Sequence, residues 1–181
     1  MRRISALLMI LFLAFLFAGA AFAAEKAAGK PVEKPKIPGI GDPAPNFELP
    51  GLDGKVVSFG KDIKGKKPLA IIVFMTTACS ACQSEIAAIN ELMGRYGGKV
   101  TMYSVAVDIR GAANVKPYSE MYNYKTTYLL DPKFTVPRLF GFNYTPSVVM
   151  IDKSGKVVFK KGGYAPGDED VLQEKIVAVL K

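Results

Sequence analysis

The chain has 181 residues, with 24 Lys and Arg against 16 Asp and Glu, and its formal charge is +8. It contains no His, which excludes Cys–His and Ser–His nucleophile pairs, haem attachment through C-x-x-C-H, and metal sites built on imidazole. Its two Cys cannot complete a structural zinc site by themselves. The length suits one domain with additional segments.

The first 24 residues have the pattern of an export signal. Arg2 and Arg3 precede a nearly unbroken apolar run, 4–24, which ends in the Ala-Phe-Ala-Ala sequence of residues 21–24. This order predicts a signal peptide with an A-x-A cleavage site, but the run is also long enough to remain as a membrane anchor. Both alternatives send the rest of the chain to the periplasm or the extracytoplasmic face of the inner membrane, since the arginines stay in the cytoplasm.

Residues 25–40 are rich in Lys, Pro and Ala, which predicts an extended, semi-rigid linker before a domain at 41–181. Part of the basic excess lies in this linker. Another part lies in a cluster formed by Lys61, Lys64, Lys66 and Lys67. Because aromatic residues are not interleaved with these lysines, we expect a solvated surface and a tail near anionic lipid headgroups, not a nucleic-acid site.

The predicted domain begins with a hairpin and a buried strand. Gly51–Gly54 places Gly and Asp between two extended runs, which is a hairpin signal. A polar connector is predicted at 61–68. The run 69–75 that follows is continuously apolar and of strand length, which is typical of a central strand buried on both faces. A helix is predicted from residue 82 onward, because apolar residues recur at helical spacing until glycines end it near Gly94.

The remainder of the domain alternates strands and helices. Further strands are predicted at 100–108 and 146–152, the latter followed by a tight turn and a hairpin partner. A short helix is predicted at 114–122, and another starting at Pro137. An amphipathic helix with an acidic first turn is predicted at 168–181, and its apolar face consists of Val171, Leu172, Ile176, Val179 and Leu180. This order predicts an α/β fold with a mixed sheet and helices on both faces.

Cys79 and Cys82 stand where the first buried strand ends and the helix starts. The first N–H groups of a helix lack partners and its dipole is positive there, so a thiolate at Cys79 would be stabilised. The i, i+3 spacing places both sulfurs on one face of the helix. A disulfide across so small a loop removes little entropy from the unfolded chain, which favours a redox pair over an inert staple or an intermolecular metal site.

Three stretches carry a family resemblance: "GDPAPNFELPGLDGKVVSF", "LAIIVFMTTACSACQSE" and "TPSVVMIDKSGKVV". Together they resemble the TlpA/ResA-like thiol–disulfide oxidoreductases of the thioredoxin superfamily, over nearly all of residues 41–181. The resemblance implies a thioredoxin-like fold, with a central mixed β-sheet flanked by helices and an N-terminal β extension. It also implies thiol–disulfide exchange outside the cytoplasm.

The resemblance assigns roles to four residues. Cys79 resembles the exposed attacking cysteine and Cys82 the buried resolving cysteine. Thr145 and Pro146 resemble the cis-proline turn beside the active site, where the backbone of the preceding residue holds an extended client peptide. The alternative for Pro146 is an ordinary proline at the start of a strand.

Glu85 matches the Glu that ResA-like proteins carry three residues after the second cysteine. Ordinary thioredoxins instead place a buried Asp six residues before the first cysteine, and here that position is Val73. Glu85 lies one helical turn from Cys82 and could move a proton for it, with a pKa raised by partial burial. The alternative is a solvent-facing Glu favoured by the helix dipole alone.

Two departures from the family concern the surroundings of the cysteines. The family often has Trp before the first cysteine, where this chain has Ala78, and often has Pro as the second spacer residue, where this chain has Ser80-Ala81. Spacer residues tune the reduction potential of the pair. The direction of electron flow is therefore left open by the sequence.

We expect an enzyme that reduces disulfides in client proteins, with apocytochrome c thiols in cytochrome c maturation as candidate clients and a membrane electron donor of the DsbD/CcdA type. A monomer without a cofactor, a resident metal or nucleic acid is expected. One alternative is a peroxiredoxin-like thiol peroxidase, because Thr76 lies three residues before Cys79, although Ile72 stands where that motif has Pro. The other is a non-enzymatic peptide-binding or redox-sensing module that uses the turn at Thr145–Pro146.

Overall fold

The computed structural model describes residues 36–96 and 98–181. The predicted signal peptide or anchor at 1–24 lies outside these described residues, as do positions 25–35 of the predicted linker. Within the described ranges, no helix combines the length and the apolar character needed to cross a membrane.

A five-stranded mixed sheet forms the centre of the fold, and a two-stranded sheet precedes it in the chain. The strands described are β1 (Glu48–Pro50), β2 (Val56–Ser58), β3 (Leu69–Met75), β4 (Val100–Ala106), β5 (Thr127–Leu130), β6 (Ser147–Asp152) and β7 (Val157–Gly162). The order across the central sheet is β5-β4-β3-β6-β7. Strands β3, β4 and β5 are parallel, whereas β6 is antiparallel to β3 and to β7. The predicted mixed sheet is confirmed.

The helices described are α1 (Ser80–Gly94), α2 (Ala112–Tyr122), α3 (Thr135–Leu139) and α4 (Asp168–Leu180). Side chains of β3 alternate between two cores on opposite faces of the sheet. Val73 packs with residues of α1, α2 and α4 on one face. Phe74 packs with residues of β1 and α3 on the other. Every residue of β3 is buried, because side chains pack against the strand on both faces of the sheet. This burial explains why the sequence of β3 is continuously apolar.

An N-terminal extension, residues 36–58, contacts both outer strands of the central sheet. The N–H of Gly41 donates to the carbonyl of Val157 in β7 at 2.7 Å. Gly51 forms a bridge with Leu129 in β5. Strands β1 and β2 pair antiparallel within the extension, so the predicted hairpin and β extension are confirmed.

Three local predictions need correction. The segment after β2 was predicted to be a polar connector, but Phe59–Ile63 form a π-helical turn whose two end residues are buried. Helix α3 begins at Thr135, two residues before Pro137. Phe134, with its backbone in the left-handed region, is the N-cap residue of this helix. Val171 was assigned to the apolar face of the C-terminal helix and is instead 39% exposed.

Candidate active site

The two cysteines lie at the junction of β3 and α1. Cys79 is the N-cap residue of α1, and its carbonyl accepts a hydrogen bond from the N–H of Gln83 at 3.1 Å. The sulfurs of Cys79 and Cys82 form a disulfide, with their Cα atoms 5.2 Å apart. Cys79 is half-buried, whereas Cys82 is 0% exposed. A sulfur atom of another protein can therefore reach Cys79 and not Cys82.

The first turn of α1 directs a backbone donor at the accessible sulfur. The N–H of Cys82 donates to Sγ of Cys79 at 3.1 Å. This N–H is one of the groups that a helix start leaves without an intrahelical partner. It favours negative charge on the sulfur of Cys79 once the disulfide is opened, which is the charge that a nucleophilic thiol needs.

A buried carboxylate holds the loop that precedes Cys79. Asp108 lies just past the end of β4, although the sequence suggested that it was the last residue of that strand, and it is 6% exposed. Its Oδ1 accepts from the hydroxyl of Thr77 at 2.6 Å, and its Oδ2 from the N–H of Thr77 at 3.1 Å. The side chain of Gln83 in α1 donates to the carbonyl of Thr77 at 3.3 Å. Asp108 was not predicted as a site residue, because a single Asp at the end of a strand is common in loops.

Glu85 lies inside the protein, on the turn of α1 that follows Cys82. It is 1% exposed, and its Oε2 has no hydrogen-bond partner among the described residues. Burial raises the pKa of this carboxyl from 4.5 to about 8. The solvent-facing alternative for Glu85 is therefore wrong, and a neutral, protonated carboxyl is the stable form below that pH.

Two charged residues near Glu85 were not predicted from the sequence. Lys161 pairs with Val148 across the strands, and Val148 belongs to the core that contains Cys82. The ammonium of Lys161 donates to Asp168 Oδ2 at 2.5 Å, where α4 begins. Burial has the largest effect on the pKa of Glu85. Two nearby charges have smaller effects: Lys161 lowers this pKa and Asp168 raises it. The alternation of side chains along β7 is the signal that could have placed Lys161 on this face.

The peptide bond between Thr145 and Pro146 is cis, as predicted. Strand β6 begins directly after it, and Ser147 of β6 pairs with Phe74 near the end of β3. The cis bond and the cysteines therefore lie at the same end of the sheet. Thr145 is half-buried, Pro146 is buried, and the carbonyl of Pro146 accepts from the N–H of Gly163 at 2.7 Å.

The surface at this end of the sheet also carries small and apolar groups. Ala78, in the place where the family often has Trp, is exposed beside Cys79. Tyr144 precedes the cis bond and is 53% exposed. Its ring lies against Gly162, where any side chain would collide with it. Glycine at this position leaves room for the phenol end of Tyr144 beside the turn.

A thioredoxin-like sheet with a C-x-x-C disulfide at a helix N-terminus, and a cis-proline turn at the same end, defines the class of thiol–disulfide oxidoreductases. The model of the AhpC/TSA family matches residues 40–160. The chain belongs to the AhpC/TSA family and, within the thioredoxin superfamily, is a ResA-like thiol–disulfide oxidoreductase.

Known proteins of this kind are similar over most of the domain. The thiol-disulfide oxidoreductase ResA of Bacillus thuringiensis (strain Al Hakam) is 34% identical over 120 residues, covering 66% of this chain and 67% of that protein. The thioredoxin-like protein YneN of Bacillus subtilis is 30% identical over 121 residues, covering 65% of this chain and 68% of that one. The crystal structure of a thiol:disulfide interchange protein DsbE from Chlorobium tepidum, described as putative, aligns with a TM-score of 0.72 and 27% identity. It covers 80% of this chain and 99% of that one.

Proposed function

We propose that this oxidoreductase works outside the cytoplasm and reduces disulfides in client proteins, with Cys79 as the attacking residue. The observation that carries the proposal is the unequal exposure of the pair: Cys79 is half-buried and Cys82 is 0% exposed. The thiolate of Cys79 attacks a client disulfide, forms a mixed disulfide with one client sulfur, and releases the other as a thiolate. The thiolate of Cys82 then attacks Cys79 Sγ, so that the client leaves with two thiols and the enzyme keeps both cysteines oxidised.

Glu85 moves the proton that this exchange requires. Cys82 must lose its proton to become a nucleophile, and the chain contains no His to accept it. Glu85 is the buried titratable group one helical turn from Cys82, and its pKa of about 8 lies near that of a thiol. In the oxidised form described here, Glu85 holds a proton. On reduction, it supplies that proton to the thiolate of Cys82.

Thr145 and Pro146 bind the client. The turn lies at the same end of the sheet as Cys79, and Thr145 within it is half-buried. The backbone of Thr145 pairs with an extended client segment and presents its disulfide to Cys79. The family resemblance supports apocytochrome c as the client.

The extracytoplasmic location rests on the apolar run at 4–24 and the arginines before it. Outside the cytoplasm the reduced state must be renewed, so a membrane electron donor of the DsbD/CcdA type completes the cycle. Two electrons pass from the donor to the Cys79–Cys82 disulfide, and from the reduced pair to the client.

Trapping tests the proposal. A Cys82→Ser variant cannot resolve the mixed disulfide, so Cys79 should accumulate covalent complexes with extracytoplasmic proteins that dithiothreitol releases. The double variant Cys79→Ser/Cys82→Ser is the matched control and should trap none. If Cys82→Ser traps no protein while client reduction continues at the normal rate, the proposed mechanism is wrong.

Two assays separate the alternatives. Consumption of peroxide at a rate above that of client reduction would favour the thiol peroxidase. If client binding and function both survive the loss of the two thiols, the non-enzymatic module would be favoured. The reduction potential of the pair, measured against that of the trapped client, then decides whether electrons flow toward the client.

A further inference from the structure

Six lysines gather at the end of the domain opposite the disulfide. They come from the segment before β3, the residue before β4 and the turn between β6 and β7: Lys64, Lys66, Lys67, Lys99, Lys153 and Lys156. The strand register brings these three segments together, because Leu69 at the start of β3 pairs with Val100 on one side and Asp152 on the other. We name this group of lysines the basic pole.

Contacts between the segments support this placement. The side chain of Lys64 lies across the turn between β6 and β7, where a Cβ on Gly155 would be 2.7 Å from its Cε. The N–H of Leu69 donates to the carbonyl of Lys99 at 3.3 Å. The cluster that the sequence shows before β3 is therefore one part of a larger basic surface built from distant segments.

The charge of the basic pole is not neutralised within the domain. All six lysines are exposed, and none forms an ion pair with a residue in 36–96 or 98–181. Asp152, the last residue of β6, is the acidic residue beside these lysines, and its carboxylate offsets one of their six charges. Its Oδ1 accepts from the hydroxyl of Ser154 at 2.7 Å and from the N–H of Lys156 at 2.9 Å.

We propose that the basic pole docks the domain on an anionic lipid surface. The six cations are all lysines, which act as compact point charges suited to a diffuse layer of headgroups and not to bidentate recognition of a single phosphate. The residues interleaved with them are Gly65, Pro68, Gly98, Ser154 and Gly155, which offer no aromatic ring for stacking with a nucleic-acid base. Each lysine near such a surface strengthens binding roughly fivefold.

Docking at this pole sets the direction in which the disulfide faces. Strand β3 separates the basic pole from the loop that carries Cys79, and its seven residues span about 20 Å. A domain held by the basic pole therefore presents Cys79 away from the lipid, toward clients in the aqueous phase. A donor embedded in the membrane can meet Cys79 only when the domain leaves this orientation.

Lysine acylation on vesicles tests the proposal with the full chain. The protein is added to phosphatidylcholine vesicles with or without about a third of phosphatidylglycerol, labelled with a water-soluble acylating reagent, and analysed by mass spectrometry. Lys133, past the end of β5 and away from the basic pole, is the internal reference. We expect at least fivefold protection of the basic pole relative to Lys133 on anionic vesicles only, lost at about 1 M salt, where the Debye length is ~3 Å.

Charge-reversal variants make the test specific. Lys64→Glu/Lys153→Glu should abolish the protection of Lys66 and Lys156, whereas Arg110→Glu/Lys116→Glu, with the same change in net charge, should keep it. If the first variant fails to fold, Lys66→Glu/Lys156→Glu replaces it, with Lys64 as the readout.

Equal labelling on neutral and anionic vesicles would overturn the proposal, and so would protection by a DNA duplex without protection by anionic vesicles. Because the readout does not involve the thiols, its failure would leave the proposed reductase function untouched.

Discussion

The hydroxyl of Thr77 donates a 2.6 Å hydrogen bond to the carboxylate of Asp108, across 31 positions of the chain. This bond joins the loop before Cys79 to the end of β4. A hydrogen bond to a buried carboxylate is among the stronger ones in proteins. The accessible cysteine is thus positioned by a residue that follows the neighbouring strand.

Asp108→Ala should lower the free energy of unfolding by about 2–3 kcal/mol, because Thr77 loses its acceptor. It should also slow disulfide exchange at Cys79, since the loop is no longer held. Denaturant unfolding and the rate of client reduction measure the two effects. Asp131→Ala is the matched control: Asp131 is buried after β5 and accepts from the N–H of Val136 at 2.7 Å. It should cost stability without changing the exchange rate, and equal slowing in both variants would contradict the positioning role.

Glu85→Gln should flatten the pH dependence of stability. The carboxyl of Glu85 has a pKa of about 8 in the folded protein and 4.5 as its ordinary value. Between these values the folded state holds a proton that the unfolded state has lost. The free energy of unfolding should therefore fall as pH rises through this window, by up to about 1.4 kcal/mol per pH unit, and level off above it.

Urea unfolding of the oxidised protein at a series of pH values would measure this slope. Glu91→Gln on the exposed face of the same helix is the control and should keep the wild-type slope. An unchanged slope in Glu85→Gln would show that Glu85 is ionised inside the folded protein.

Lys161→Met and Asp168→Asn should shift the pKa of Glu85 in opposite directions. Lys161 lowers that pKa and Asp168 raises it, so Lys161→Met should raise it and Asp168→Asn should lower it. The carboxyl carbon of Glu85 can be followed by NMR titration. Lys160→Met is the control, because Lys160 donates to the carbonyl of Phe140 at 2.6 Å, which belongs to the opposite core. A pKa shift of the same sign in Lys161→Met and Asp168→Asn would exclude a direct effect of these two charges.

Ala81→Pro should leave the fold intact and change stability by no more than about 1 kcal/mol. Ala81 is in the first turn of α1, where an N–H has no intrahelical partner and proline is tolerated. Ala87→Pro in the middle of the same helix should cost about 3 kcal/mol. Denaturant unfolding compares the two. If Ala81→Pro loses as much stability as Ala87→Pro, the first turn does not accept proline. The reduction potential of Ala81→Pro then gives the contribution of the spacer to the potential of the cysteine pair.

The elements that the sequence predicted correctly are those with a local physical signature. Strand β3 shows its burial in its own composition, and the turn at Gly51–Gly54 carries its own hairpin signal. Helix α1 was predicted from apolar spacing alone. The π-helical turn at Phe59–Ile63 was not predicted. Its two buried end residues are separated by Gly, Lys and Asp, which is a pattern typical of a loop.

The unpredicted part of the candidate site depends on contacts between distant segments. Asp108 acquires its role only when β4 lies beside β3. The burial of Glu85 depends on β7 and α4, which bring Lys161 and Asp168 to the same place. Charges that converge from separate elements leave no pattern along the chain, so composition and periodicity cannot reveal them.

The contacts of the N-terminal extension with β5 and β7 also bear on aggregation. The outer strands of a sheet offer unpaired backbone groups to other chains. Here Gly41 bonds to Val157 on one outer strand, and Gly51 forms a bridge with Leu129 on the other. One short segment thus occupies part of both edges, and a chain shortened past Gly51 would leave them open to strand addition by a second molecule.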